Sequence, residues 1–206
     1  MSYLSTRSGR WIPGQLSNQL LKTLELYDKC VGLLDIYCRI YYVEPHDMST
    51  DFTIRKATTE DAPEVAAMVG ELLAEIMNVI GVQAFNFDYS ETISRLTDFL
   101  NHEKYFVFVA HANNGKAAGF IALYESYALY AEGPFGTIPE LYVRPEYRGN
   151  ELGLRLVPQT KSFGTSRSWT RLEVTTPPLP QFDRTLAFYE REGFSISGGR
   201  KLKVSL

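Results

Sequence analysis

A strand end, a glycine-bearing loop and a helix start follow one another between Val143 and Leu156, in the sequence VRPEYRGNELGLRL. The first N–H groups of a helix have no partners inside it, and the aligned peptide dipoles give that end a partial positive charge. The segment therefore predicts a site for a phosphate-bearing ligand. One glycine loop is weak evidence, but the segment AFYEREGF, from Ala187 to Phe194, accompanies it about forty residues later, and the pair is specific.

The same strand and helix belong to a predicted βαβ crossover. Strand 135–143, a helix over about 151–163 and strand 170–175 follow in order. Two strands joined through a helix in this way run parallel. Pro139 cannot donate to a ladder, so it predicts a bulge or an unpaired side in the first strand.

A hairpin precedes this crossover. The β-rich segments 105–110 and 119–124 flank Asn113-Asn114-Gly115-Lys116, and an Asn-Gly pair is typical of a type I′ turn with positive φ at both central residues. Together with the crossover, this predicts a mixed α/β fold. Its central sheet is mostly antiparallel, with helices on both faces.

Other elements follow from apolar patterns and from residues that break them. Pro158 predicts a kink near Leu154, and Gly164 predicts the end of that helix. The remaining predicted elements are a strand at 54–58, helices near 59–81, 90–100 and 182–192, and a closing hairpin of 195–196 with 201–204.

Residues 1–50 differ from the rest of the chain. Leu16, Leu20, Leu24 and Tyr27 recur at helical spacing, which predicts an amphipathic helix in an N-terminal extension. Met48 is an alternative start of the protein, in which case residues 1–47 are not part of it. Residues 51–206 form the main domain in either case.

Charge and composition exclude several classes of function. The net charge of −3 and the pI near 5.7 do not provide the positive field that nucleic-acid binding requires. Cys30 and Cys38 are expected to be free thiols, and the scattered histidines predict no metal site. Neither a secretory signal nor a membrane span is expected, since charges interrupt the apolar stretches, so the expected location is the cytoplasm.

These motifs resemble those of the GCN5-related N-acetyltransferases (GNATs), over about residues 52–206. The segment LYVRPEYRG, from Leu141 to Gly149, is similar to the strand-to-loop signature of that family. Arg148-x-x-Glu151-x-Gly153 is similar to its pyrophosphate loop, with Glu151 in place of the usual middle glycine. The last helix motif contains Tyr189, and the asparagine often found seven residues before that tyrosine is Phe182 here.

The resemblance implies the acyl-CoA N-acyltransferase fold and acetyl-CoA as co-substrate, with no metal. It implies that backbone groups of the strand residues hold the pantetheine arm and that amides of the loop and helix start hold the pyrophosphate. The Glu151 side chain is expected to point to solvent, with Arg148 and Arg155 offsetting its charge. The expected binding residues are Leu141, Tyr142, Val143, Arg148, Gly149, Asn150, Glu151, Leu152, Gly153 and Leu154.

Two groups are expected to carry the chemistry. By the resemblance, Tyr189 is the general acid that protonates the departing thiolate. Glu140, beside the acetyl-binding strand, is the candidate base for the amine, and its alternative is a solvated strand glutamate; Glu125 is the second choice. The expected reaction is direct transfer to a primary amine of a small molecule or a protein, in a ternary complex.

A second hypothesis remains open. The chain is alternatively a non-catalytic module that binds acyl-CoA, because Glu151 and Phe182 depart from the family pattern. A homodimer is an expectation from the family alone. Tyr124, Tyr127, Tyr130 and the loop 85–89 are candidates for the acceptor pocket, with aromatic packing as the alternative.

Overall fold

The computed structural model describes residues 51–197 and residue 204. The predicted N-terminal helix and residues 201–203 of the predicted closing hairpin lie outside the described residues. The strands are β1 (Phe52–Lys56), β2 (Phe106–Ala112), β3 (Ala117–Ser126), β4 (Phe135–Ile138), β5 (Leu141–Val143) and β6 (Leu172–Val174). The α-helices are α1 (Ala62–Ile80), α2 (Tyr89–Asn101), α3 (Leu152–Ser166) and α4 (Asp183–Arg191), with short 3₁₀ turns at Thr59–Asp61 and Pro145–Tyr147.

The strands form one sheet in the order β1-β2-β3-β4-β6, and β5 pairs with β3. All pairings are antiparallel except β4 with β6, which is parallel and closes the predicted βαβ crossover through α3. Successive residues of a strand point to opposite faces, so β2 contributes Phe106 and Phe108 to one apolar cluster and Val107 and Val109 to another. The first cluster includes α3 residues and the second includes α1 and α2 residues. The prediction of a mostly antiparallel α/β sheet with helices on both faces is confirmed.

The strand predicted over 135–143 is broken at Pro139 and Glu140. β4 pairs with the end of β3, from Tyr124, while β5 pairs with an earlier part of β3. Only β4 continues to β6 in the sheet order. Pro139, which has no N–H to donate, therefore marks the point where the two halves take different neighbours.

The hairpin between β2 and β3 is confirmed, but the predicted type I′ turn is wrong. Gly115 has a φ of +78°, and Asn114 is not among the residues with positive φ. The Gly115 N–H donates to the Ala112 carbonyl at 2.8 Å, and the strand register shifts between Ala110 and His111. A three-residue loop with a left-handed glycine at its third position and a bulge satisfies the strand twist in another way.

Two further expectations are corrected. Gly164 does not end α3, which continues to Ser166; a Cβ on Gly164 would lie 3.1 Å from the Trp169 ring, so this glycine serves helix packing. Ser195 and Ile196 belong to no strand. In the part of the chain that the structure describes, no helix has the length and apolarity to cross a bilayer.

Candidate active site

The start of α3 presents a run of unpaired backbone donors. The first helical hydrogen bond runs from the Arg155 N–H to the Glu151 carbonyl, at 3.1 Å. Among the described residues, no oxygen accepts from the amides of residues 149–154, and no side chain caps the helix. Gly149, with a φ of +85°, turns the chain into this helix. Unpaired amides at a helix start are suited to bind an anion.

Glu151 stands at the N-cap of α3 with φ +57° and ψ 12°, a left-handed conformation. This conformation explains why the motif prefers glycine at this position, since a Cβ there crowds the backbone. The Glu151 side chain is exposed, as expected. Arg155 does not offset its charge, because its guanidinium donates to the Phe52 carbonyl at 2.7 Å and lies 3.7 Å from Asp51.

Among the described residues, β5 pairs along one edge only, with β3. The Ala122 N–H donates to the Glu140 carbonyl, and the Arg144 N–H donates to the Ala118 carbonyl, both at 2.9 Å. In an antiparallel ladder these bonds alternate, so the backbone groups of Tyr142 face Phe120 of β3, its register partner.

The N–H and C=O groups of Leu141 and Val143 therefore point away from β3, and β5 has no other partner strand among the described residues. Of the three strand residues predicted to hold the pantetheine arm through their backbone groups, Leu141 and Val143 face the free edge and Tyr142 does not. The Tyr142 side chain is buried in the cluster that includes α1 and α2 residues.

Gly119 lets β5 approach β3. A Cβ at this position would lie 2.5 Å from the Tyr142 carbonyl oxygen and 3.1 Å from the Val143 Cα. Gly119 is not among the site residues predicted above, although an isolated glycine in a strand pattern is a known signal of close backbone approach.

Arg148 pairs with a carboxylate of α1 and not with Glu151. Its guanidinium forms two hydrogen bonds to Glu75 of α1, at 3.0 and 2.6 Å, and Nε donates to the Val143 carbonyl at 2.8 Å. Arg144 pairs in the same way with Glu71, at 2.9 and 3.0 Å. Two acidic residues of α1 thus fix the end of β5 and the loop after it, and the Arg148 charge is balanced by Glu75 rather than by Glu151.

Glu140 lies at the break between β4 and β5 and is partly buried. Its carboxylate accepts a hydrogen bond from the Tyr105 hydroxyl. Burial raises the pKa of Glu140, and the bond from Tyr105 lowers it by a smaller amount. A carboxyl with a raised pKa is suited to accept a proton near neutral pH.

Glu125, the second candidate base, is held in an ionised network. It accepts from the Trp169 indole at 2.5 Å and from the Tyr127 hydroxyl, and Arg167 lies 3.6 Å away. These donors lower the pKa of Glu125, with the Tyr127 bond as the largest cause. The two carboxylates thus differ in proton affinity, because their surroundings raise the pKa of Glu140 and lower the pKa of Glu125. Of the two, Glu140 is better suited to accept a proton.

Tyr189 is buried on α4, with 4% of its surface exposed. Its ring packs edge-on against Phe188 and Phe194, with centroids 5.2 and 5.3 Å apart. Its hydroxyl forms no hydrogen bond with another described residue, and burial raises its pKa, so the phenol stays protonated at neutral pH. Phe188 contacts Gly153, where a Cβ would lie 3.1 Å from the ring. The last helix therefore packs directly on the start of α3.

The surroundings are mixed in exposure. Tyr127 and Tyr130 are 74% and 81% exposed. Phe135, at the start of β4, is buried, and the Arg171 guanidinium lies 4.2 Å from its ring centre. A cavity of about 1000 Å³ lies along β6 and α4 and includes Tyr189, but Glu140 and the loop 148–154 do not line it. In the described part of the chain, no cluster of His, Cys, Asp or Glu side chains is arranged to hold a metal.

Comparisons with known proteins agree with this geometry. The model of the acetyltransferase (GNAT) family matches residues 68–194. An aminoalkylphosphonate N-acetyltransferase of Salmonella typhimurium (strain LT2) is 30% identical over 151 residues, which cover 73% of this chain and 90% of that protein.

Solved structures share the fold. An aminoglycoside acetyltransferase from an uncultured soil metagenomic sample, in complex with trehalose, has a TM-score of 0.60 at 23% identity and covers 75% of this chain and 96% of its own. A predicted acetyltransferase with acetyl-CoA from Clostridium acetobutylicum has a TM-score of 0.61 at 17% identity, over 74% and 96% of the two chains. Because the family model spans more than half of the sequence and the Salmonella relative almost three quarters of it, this chain belongs to the GNAT acetyltransferase family and is an N-acetyltransferase.

Proposed function

We propose that this N-acetyltransferase takes its acetyl group from acetyl-CoA and transfers it directly to a primary amine of a small molecule. The observation that carries the proposal is the run of amides over residues 149–154 at the start of α3, beside one edge of β5. No described residue accepts from these amides or pairs with this edge. A diphosphate is a natural ligand for such donors, because each N–H is already directed outward and the helix dipole favours negative charge.

The chain's residues fit the rest of the co-substrate as well. Leu141 offers a free N–H and C=O at the edge of β5, and Val143 offers its N–H, since Arg148 engages its carbonyl. An extended chain with amide groups adds to such an edge as a strand does. When bound, acetyl-CoA supplies the acetyl group as a reactive thioester.

Glu140 is the proposed base. An amine with a pKa of about 10 is protonated at pH 7, and removing that proton costs about 4 kcal/mol. Glu140 lies beside Leu141 on the same broken strand and has a raised pKa, whereas Glu125 is stabilised as an anion by its three partners. A carboxylate stabilised in that way is a weak proton acceptor.

Tyr189 is the proposed acid. Its Oη holds a proton that no described residue accepts, and its raised pKa keeps that proton in place at neutral pH. The contact between Phe188 and Gly153 packs α4 on the start of α3, which sets the position of the phenol relative to the free amides.

The acceptor is proposed from the relatives and from the exposed tyrosines. The Salmonella relative is named for aminoalkylphosphonates and the metagenomic structure for aminoglycosides, and both are small-molecule amines. We therefore propose acceptors of that size, with Tyr124 and Tyr127 at the mouth of the site, where both side chains are exposed.

The test is an acceptor panel in which release of free thiol from acetyl-CoA is measured with aminoalkylphosphonates, aminoglycosides, polyamines, amino acids and peptides. Turnover that depends on one amine class supports the proposal. Glu140→Gln is expected to lower kcat/KM about 100-fold, and Tyr189→Phe is expected to lower kcat by a similar factor. Glu125→Gln is the matched carboxylate control, with less than a fivefold effect. Tight coenzyme binding with no turnover across the panel would instead favour the non-catalytic module.

A further inference from the structure

Tyr105 immediately precedes β2 and donates its hydroxyl hydrogen to Oε2 of Glu140, which is 35 residues away in the sequence. We propose that Tyr105 is a positioning residue that holds the Glu140 carboxylate in one orientation at the break between β4 and β5. The inference rests on the proposed role of Glu140 as the base, and it assigns a function to a residue that the family motifs do not include.

The Tyr105 ring is itself held in place from two sides. It stacks on Tyr124 of β3, with ring centres 6.2 Å apart and planes 12° apart, and it contacts Phe99 of α2 at 5.9 Å. The ring is partly buried between these neighbours. A rotation that withdrew the hydroxyl from Glu140 would break this stack, so the donor position is fixed by packing.

The hydrogen bond also restricts the glutamate. A free Glu side chain has three rotatable bonds, and fixing one oxygen removes most of that freedom. Tyr105 binds Oε2, while Oε1 accepts no hydrogen bond from a described residue. One oxygen is therefore anchored, and the other remains available for a proton or a water.

The charges around the pair agree with this arrangement. Burial and the Glu140 carboxylate raise the pKa of Tyr105, so the phenol stays neutral and donates. Tyr124 faces the pair from β3, and Phe99 of α2 carries no charge. Lys56 of β1 and Glu103, which follows α2, line a small cavity together with Tyr105. On α1, which packs against the second half of the broken strand, Glu71 is neutralised by its ion pair with Arg144.

The test is the variant Tyr105→Phe, followed by carbon NMR titration of the Glu140 carboxyl, whose resonance is the one missing in Glu140→Gln. The lost bond is to a charged acceptor, so we expect the midpoint to rise by about one pH unit. The acid limb of kcat/KM is expected to move by the same amount, which means about tenfold lower kcat/KM on that limb, with the KM for acetyl-CoA within twofold. Tyr124→Phe is the matched control and leaves the Glu140 midpoint unchanged, because its hydroxyl does not bond Glu140.

Each outcome has one meaning. An unchanged Glu140 midpoint in Tyr105→Phe overturns the inference. A shifted midpoint with an unmoved rate profile supports the contact but removes Glu140 as the base, which is a failure of the proposed function. If Tyr105→Phe does not fold, Glu140→Asp withdraws the carboxylate from the intact ring stack. The shorter side chain loses the hydrogen bond from Tyr105, so the midpoint of the acid limb of kcat/KM should rise to a higher pH. This direction is opposite to the difference between the free residues, since the pKa of Asp is about 3.9 and that of Glu about 4.3. An unshifted midpoint overturns the inference.

Discussion

Replacing Glu151 by glycine tests whether the side chain at the N-cap of α3 strains the backbone and repels a bound phosphate. Glu151 has a φ of +57°, and a residue with a side chain is less stable in that region by about 1–2 kcal/mol. Glycine removes this strain but loses about 0.5–1 kcal/mol through the greater freedom of the unfolded chain. The net expectation is a gain of about 0.5–1 kcal/mol in the free energy of unfolding, or about 1–4 °C in Tm for a protein of this size.

The same change removes a negative charge beside the free amides of α3. A pair of like charges about 6 Å apart in water repel by about 0.7 kcal/mol, which corresponds to a factor of about three in affinity. Salt screens an interaction between exposed charges, so the gain in coenzyme A affinity should be largest at low ionic strength.

Glu151→Gln separates the two effects, because it removes the charge and keeps the strained backbone. Thermal unfolding is measured without ligand, and calorimetric titration with coenzyme A is run at low and at high salt. We expect Glu151→Gln to bind about threefold more tightly at low salt with an unchanged Tm, and Glu151→Gly to show both effects. A Tm for Glu151→Gly at or below that of the wild type would refute the strain argument, and weaker binding by Glu151→Gln would refute the repulsion.

Three other changes test the scaffold. Gly119→Ala places a Cβ 2.5 Å from the Tyr142 oxygen, so β5 must move by nearly 1 Å. We expect the free energy of unfolding in urea to fall by about 1–3 kcal/mol and the KM for acetyl-CoA to rise several-fold. If neither value changes, Gly119 is not needed for the close approach of β5 to β3. Gly153→Ala places a Cβ 3.1 Å from the Phe188 ring of α4. In steady-state kinetics it should lower kcat by a larger factor than it raises the KM for acetyl-CoA. The reverse pattern would be evidence against the packing of α4 on α3 as the means by which Tyr189 is positioned. The hydrogen bond from Arg55 lowers the pKa of Asp61 to about 2. The ionised Asp61 therefore contributes stability that is present above about pH 4 and is lost between about pH 4 and 2. Asp61→Asn should flatten that part of the pH-dependence of unfolding, and an unchanged curve would exclude the ion pair as its source.

Local patterns predicted most of the described elements. The crossover, the hairpin and an irregularity at Pro139 follow from period, turn residues and a missing N–H, all of which act within a few residues. That Pro139 breaks the strand in two was not predicted. The errors have a common cause. The turn at Asn114 and the role of Gly164 depend on how a strand twists or what a helix packs against, and neither is encoded nearby in the sequence.

The candidate site divides in the same way. Sequence alone determined that a glycine-bearing turn leads into a helix at residues 149–154, where the first amides have no partner inside the helix. Tertiary structure decided that Glu75 neutralises Arg148, that Leu141 and Val143 face the open edge while Tyr142 does not, and that Tyr105 reaches Glu140. These last facts depend on strand register and on contacts between residues distant in the chain, which are fixed only when the sheet assembles.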